Sequence, residues 1–494
     1  MLERLDGHHR LTGVSPVAFL GDTRQPRLAQ ERVFRRCPRE KLVAGVEIGE
    51  LPERRGVLQA QWPPGHRGTV AGAGARGERG GRAARSGSLR RVPQSLGADT
   101  MRWASASSEL PDARAAADEV ADAVRAALGG AAPDAAFLFF GEAYAPDADA
   151  LAARVRAGLG GGVLVGCTGH SVIGGGREIE GRPAVSLTAA RLPNVAIRAL
   201  RVAGEGFPRG AEAWCEAFDV DPGARPHFVL LADPWSCDAE ALVQQLARDF
   251  PGAVSIGGLA SGGERPGANA LVLEDRVHAG GLVGVALWGD VVVDGVVAQG
   301  CRPIGHPHFV TRARDHLLTE LDGRPPMDVL RALYEAADPR DRALMQSALF
   351  LGIEMRPELH EYRRGDFLIR NLVGADPDDG ALAVAASLRD GLVVQFHLRD
   401  AHTSALDLEE RLTRYRSAPR IGGPPRGALL FSCLGRGAGL YGLPDHDSDA
   451  FRRHLGPVPL GGFFCNGEIG PVGARSFLHG YTSAFAIFRP LSAI

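Results

Sequence analysis

Three stretches of the chain repeat one hydrophobic pattern. In the first, the apolar run Phe137–Phe140 leads to helical spacing over Asp147–Leu159. Gly162–Gly169 and the apolar run Ala184–Leu187 follow. The second stretch has His227–Ala232, Asp238–Phe250, Ala253–Gly258 and Gly281–Leu287; the third has Ala428–Cys433, Asp447–Leu455, Val458–Phe464 and Phe477–Phe488. Apolar residues four apart, such as Leu151, Val155 and Leu159 or Leu242, Leu246 and Phe250, place one buried stripe on a helix. Short apolar runs bounded by glycines read as strands. Each copy is therefore predicted to be strand, helix, strand, strand. The helix starts agree, because Asp147, Asp238 and Asp447 bring carboxylates to the first turn, where free N–H groups and the helix dipole favour them. Copies roughly 90 and roughly 200 residues apart mark duplication, since solenoid repeats recur every 20–50 residues or so.

Between the second and third copies lies the β-rich run Val291–Ala298. Leu318–Asp322 then reads as a strand closed by an Asp-Gly turn. Helices are predicted at Met327–Ala337, Arg340–Leu349 and Asp407–Tyr415, with strands at Asp366–Val373, Ala381–Ala386 and Val393–Leu398. The expected architecture is α/β of the mixed α+β kind: layered β-sheets flanked by helices, pseudo-repeated β-α-β-β units, and two domains at 101–323 and 324–494.

Charge divides the chain differently. Residues 1–100 hold 18 Lys and Arg against 10 Asp and Glu; the whole-chain totals of 56 and 58 leave 38 against 48 for the rest. His66–Arg91 has seven arginines, one glutamate and no apolar period, so it cannot bury enough surface to offset its ordering entropy. Residues 1–100 are expected to be a disordered, dispensable Arg/Gly-rich extension. Its bland reading is a start annotated too far upstream of Met101; the other reading is a nucleic-acid-binding tail, which the scarcity of stacking aromatics disfavours. The acidic remainder argues against nucleic acid as a partner. Seven cysteines without a close pair exclude a CxxC motif or a disulfide framework. Without a signal-peptide pattern or a long apolar span, a cytoplasmic protein with no membrane partner is expected.

The chemistry-bearing residues cluster late. Gly300-Cys301-Arg302-Pro303-Ile304-Gly305 and Gly461–Pro471 read as glycine-bearing turns with polar groups, the latter holding Cys465, Asn466 and Glu468 before a strand with His479 and Thr482. These motifs, with Thr311, Leu321–Pro325 and the earlier Gly166-Cys167-Thr168, resemble the F-box and intracellular signal transduction (FIST) domain, over about residues 133–488. The resemblance implies a small-ligand-binding sensory protein of signal transduction, amino acids being the usual suggested ligand. Its output would pass through a separate signalling protein, since neither an F-box nor an attached kinase segment is evident. The resemblance also leaves a haem-binding gas sensor as an alternative.

A pocket between the two domains is expected, lined by Arg302, Glu468 and Asn466 with Thr311, Cys301, Cys465 and His479 nearby. Arg302 would grip a ligand carboxylate and Glu468 an ammonium. Each has a bland reading: Glu468 as a solvated hairpin carboxylate, Arg302 as a structural ion pair. A Cys nucleophile would need a nearby base and a lowered pKa, so an enzyme remains the other class of function. For His306 and His308 the intervening Pro307 breaks regular pairing and no third ligand is evident, so no metal is expected. No cofactor is expected either, with haem left to the gas-sensor alternative.

Overall fold

The computed structural model describes residues 100–204 and 206–492. The expected Arg/Gly-rich extension lies outside the described residues. Unit one runs through β1 (Arg102–Ser108), α1 (Ala113–Ala127), β2 (Ala135–Gly141), α2 (Ala148–Leu159) and β3 (Val163–Gly169). A hairpin of β4 (Val172–Gly174) and β5 (Arg177–Ile179) follows, then β6 (Val185–Arg191). Unit two repeats that order with β7 (Val195–Val202), α3 (Ala211–Phe218), β8 (His227–Ala232), α4 (Ala239–Asp249) and β9 (Ser255–Leu259). Its hairpin is β10 (Leu271–Leu273) and β11 (Arg276–His278), and it closes on β12 (Leu282–Gly289).

Unit three opens with β13 (Val292–Ala298). Where the others have one helix it carries an insertion: β14 (Cys301–Leu321), α5 (Pro326–Ala336), α6 (Pro339–Ser347), β15 (Leu349–Glu354), β16 (Phe367–Ala375), β17 (Leu382–Leu388), β18 (Val393–Arg399) and α7 (Ala401–Ser417). It resumes with β19 (Gly427–Cys433), α8 (Ala438–Tyr441), α9 (His446–Leu455) and β20 (Leu460–Cys465). The hairpin β21 (Glu468–Val472) and β22 (Arg475–His479) leads to β23 (Ser483–Arg489).

Each unit forms a four-stranded sheet of one order: β1-β6-β2-β3, β7-β12-β8-β9 and β13-β23-β19-β20. Each sheet is completed to six strands by a hairpin from another unit, β10–β11 beside β3, β21–β22 beside β9 and β4–β5 beside β20. The exchange closes a three-way cycle. Registers agree residue by residue: Phe139, Leu231 and Phe431 face Cys167, Gly258 and Phe463. Those three in turn face Leu271, Glu468 and Val172 of the incoming hairpins.

The recurrent strand-end glycine has one cause throughout. A Cβ on Gly166, Gly257 or Gly462 would lie 2.0, 1.8 or 1.9 Å from the carbonyl oxygen of Leu138, Leu230 or Leu430 on the neighbouring strand. Any side chain would push the parallel strands apart. The three sheets share one core, in which Phe137, Phe139, Val229, Ile256, Phe431 and Phe463 are fully buried. Phe139 and Phe463 stack with ring centroids 4.8 Å apart. Each such side chain contributes about 1.5–3 kcal/mol by leaving water.

The insertion, which unit three alone carries, forms a closed barrel, β14-β17-β16-β15-β18. Here the sequence reading needs correction. Gly300–Gly305 is not a turn; it opens a 21-residue strand that pairs with β18 and β17. A register shift between Ile304 and His308 absorbs Gly305 and Pro307, as a bulge allows. The shared helix-start motif also diverges. Asp238 caps Ala241 N–H at 3.0 Å, Asp147 makes no cap bond, and Asp447 is buried against Arg436 at 2.8 Å. The helix expected at Asp407–Tyr415 begins earlier, where Asp400 caps Thr403 N–H at 2.7 Å. Among the described residues, no helix is long and apolar enough to cross a membrane.

Candidate functional site

A cavity of about 150 Å³ opens where the β21–β22 hairpin of unit three meets the barrel. Its walls come from both sides of residue 323, with Glu240 and Leu259 from unit two and Arg370, Asn371, Glu468 and His479 from beyond it. The hairpin can lie this close because Gly467 has φ +156° and a Cβ there would meet Leu259 at 3.0 Å. Tyr481, also lining, has φ +70°, a left-handed conformation costly for a bulky residue, with its hydroxyl donating to Asn371.

Glu468 is fully buried and pairs in register with His479 across the hairpin. Its Oε2 accepts from the backbone N–H of Thr482 at 3.0 Å and from the Thr482 hydroxyl at 2.7 Å, while Oε1 has no partner. Burial pushes this carboxyl up to about 8, only partly opposed by the Thr482 bonds and by Arg436 and Arg399. When neutral, it carries its proton on Oε1, since Oε2 is occupied as an acceptor. The His479 Nε2 lies 3.0 Å from the Gly470 carbonyl, which can only accept, so Nδ1 is left as an unpartnered acceptor. Burial lowers that ring to about 4. Asn466 Oδ1 is the third unpartnered buried oxygen or nitrogen on this cavity. The cation beside them is Arg370, which donates to Glu240 and to the Leu478 carbonyl, both at 3.2 Å.

The structure thus brings together four of the expected site residues, Cys465, Asn466, Glu468 and His479. It does not bring the other three. Arg302 lies on β14 with its guanidinium engaged by Asp341, so the expected grip on one ligand by Arg302 and Glu468 together is not built. Thr311, exposed on β14, accepts from the N–H of Gly323 in the following turn at 3.1 Å. Cys301 is buried in an aromatic cluster with Phe350, Phe367 and Tyr481, adjoining the cavity without lining it. Sequence reasoning missed Arg370 and Asn371. Their signal was a polar pair interrupting the apolar run from Phe367 to Val373.

The thiols are poor nucleophiles. Burial pushes Cys301 up to about 12, Cys433 up to about 11, and Cys465 well above its ordinary value. The one imidazole on the cavity is tied by Nε2 to a carbonyl. Haem does not fit: the space is of the order that admits a benzene-sized molecule, and the buried histidine has its outer nitrogen committed.

Family models match as the FIST N domain over residues 134–324 and the FIST C domain over residues 326–471. The chain belongs to the FIST family. Its relatives include uncharacterized proteins of Mycobacterium tuberculosis and Mycobacterium bovis. Each is 40% identical, over 382 residues (77% of this chain, 98% of the relative) and 379 residues (76% and 96%) respectively. An F-box/LRR-repeat protein of Arabidopsis thaliana is 29% identical over 156 residues, 28% of each chain. FIST domains are linked in general to signal transduction and ligand sensing. The two FIST models meet just after β14, so their boundary falls inside unit three and within the barrel, with β14 in the FIST N match and the other four barrel strands in the FIST C match.

Proposed function

We propose that this FIST protein is a small-ligand-binding sensor of intracellular signal transduction, and that the cavity at Glu468 is its ligand site. The observation that carries the reading is a set of three unpartnered polar atoms, His479 Nδ1, Asn466 Oδ1 and Glu468 Oε1 (an acceptor once the carboxyl ionises), on residues that line one small cavity. An unpaired buried polar group costs about 1–3 kcal/mol. A ligand bearing several N–H donors relieves that cost at all three. An ammonium group meets the requirement, and Arg370 stands where a carboxylate can be held. The ligand class is therefore a small amino acid, with Arg370 in the role expected of Arg302. Its side chain is short, given the cavity volume and the apolar wall from Leu259 and Ile369. The signal passes to a separate protein.

The test is a thermal-shift panel of glycine, alanine, serine and valine on the full chain. A true ligand at a hundred times its Kd stabilises by about 2.7 kcal/mol. That stabilisation is expected to vanish in Arg370→Ala and in Glu468→Gln and to persist in Arg302→Ala. If none of the four shifts the melting temperature, or the shift survives Glu468→Gln, the amino-acid reading is wrong.

A further inference from the structure

Away from the cavity, at the rim of the barrel, His306, His308 and Asp322 bring one ligand atom each within 4.8 Å of the others. The bulge between Ile304 and His308 turns both imidazoles to one side of β14, their ring centroids 4.3 Å apart. Asp322, fourteen residues on, arrives through the turn that ends the same strand. Its Oδ2 lies 2.7 Å from His308 Nδ1.

The carboxylate is fixed in place. Asp322 Oδ1 accepts from Phe309 N–H at 3.0 Å, and its own N–H donates to the Phe309 carbonyl at 3.0 Å. Its backbone is left-handed, φ +48°, and the next residue, Gly323, is anchored by Thr311. His308 is buried, while His306 is exposed and Asp322 is 41% exposed, so two ligands are held and the outer face is open to water.

We propose that His306, His308 and Asp322 form a zinc-binding site. Two imidazole nitrogens and one carboxylate oxygen are a donor set suited to Zn²⁺, with water in the fourth position of a tetrahedron. Zinc–ligand bonds of about 2.0–2.1 Å put tetrahedral donors roughly 3.3 Å apart. The His308–Asp322 contact must therefore open by about half an ångström, within reach of side-chain rotation. The exposed His306 ring, whose nitrogen lies within 4.8 Å of the other two ligand atoms, closes the rest of the way by rotating toward them. The ion would tie the middle of β14 to the turn at its end.

The experiment is calorimetric titration of Zn²⁺ into the metal-stripped full chain, with Co²⁺ absorption as a second readout of tetrahedral ligation. One equivalent is expected to bind the wild type. His306→Ala, at an exposed position, is expected to weaken it by roughly tenfold or more, the scale on which even groups supporting a zinc ligand act. Asp322→Asn keeps an oxygen for Phe309 N–H but loses the anionic ligand, and is expected to do the same. No saturable uptake by the wild type, or uptake unchanged in both variants, overturns the site and leaves His308–Asp322 as an ordinary hydrogen bond.

Discussion

The three exchanged hairpins differ in what they place at their first cross-strand pair. In β4–β5 the first cross-strand pair is Val172–Ile179 and in β10–β11 it is Leu271–His278, whereas in β21–β22 it is Glu468–His479. The fold accepts apolar residues at the first position, so it does not require a buried carboxyl there. Only the hairpin that meets the barrel has one. A second contrast lies within unit three itself. Arg436 and Asp447 are as buried as Glu468, but they are matched charges, with Asp447 also bonded to Ser483 and to His446 at 2.9 Å. One buried polar cluster is spent on holding helix α9 to the sheet. Both clusters leave buried polar atoms unpartnered, Arg436 Nη1 among them in the first, but only the second has its unpartnered atoms on residues that line the cavity, and that separates a structural network from a binding site.

The contrast breaks most visibly at Asp447. Asp447→Ala leaves the Arg436 charge buried and alone and is expected to cost about 3–5 kcal/mol in denaturant unfolding. Glu468→Gln, which retains an acceptor for Thr482, is expected to leave the fold intact. Equal losses in the two variants would erase the distinction between the clusters.

Next in size is pH dependence. The folded Glu468 carboxyl sits at about 8, above its ordinary 4.5, so its contribution to stability is fully present below about 4.5 and is lost as pH rises through about 8. The His479 ring, lowered to about 4 from 6.5, works in the opposite sense: its contribution is present above 6.5 and is lost as pH falls through about 4. Glu468→Gln is expected to reduce the decline between about pH 4.5 and 8 on the order of a few kcal/mol, with the buried Glu178, also pushed up to about 8, keeping its own share, and to leave the His479 contribution alone. An unchanged alkaline limb would mean that another group titrates there.

The repeat itself is sharpened by Gly166→Ala, Gly257→Ala and Gly462→Ala. Each forces a methyl against a Leu carbonyl and is expected to cost roughly 1–3 kcal/mol by equilibrium unfolding, most at Gly257 and Gly462, whose φ of +152° and +147° adds backbone strain. A tolerated substitution at one position would show that its unit does not share the constraint. Smallest of all, Arg302→Ala removes a partly exposed ion pair with Asp341 and is expected to cost at most about 1 kcal/mol, with ligand stabilisation unaltered.

Much of the three-unit core was legible in the sequence because strand, helix and glycine signals are local. The exchange was not. The β4–β5 and β10–β11 strands are three residues each, too short for a period to register, and their partners lie in other units. The barrel was obscured by Pro303, Gly305 and Pro307, which read as a turn but sit on a bulged strand. Glu468, Asn466, Cys465 and His479 were legible because one hairpin carries them. Arg302 misled because its partner Asp341 lies thirty-nine residues away on a helix of the insertion. Arg370 and Asp322 escaped for the same reason, since barrel closure and a bulge, neither of them local, place each at its site.

The claim that Glu468 receives a ligand ammonium is tested most directly by calorimetric titration of the best-shifting amino acid at pH 6 and pH 8, in wild type and Glu468→Gln. The ionised carboxyl accepts from an ammonium far more strongly than the neutral acid, which would present a hydroxyl at Oε1. With its pKa at about 8, wild-type affinity is expected to rise by tens of fold from pH 6 to pH 8, and Glu468→Gln is expected to bind weakly at both. An affinity flat in pH and retained by Glu468→Gln would contradict the account.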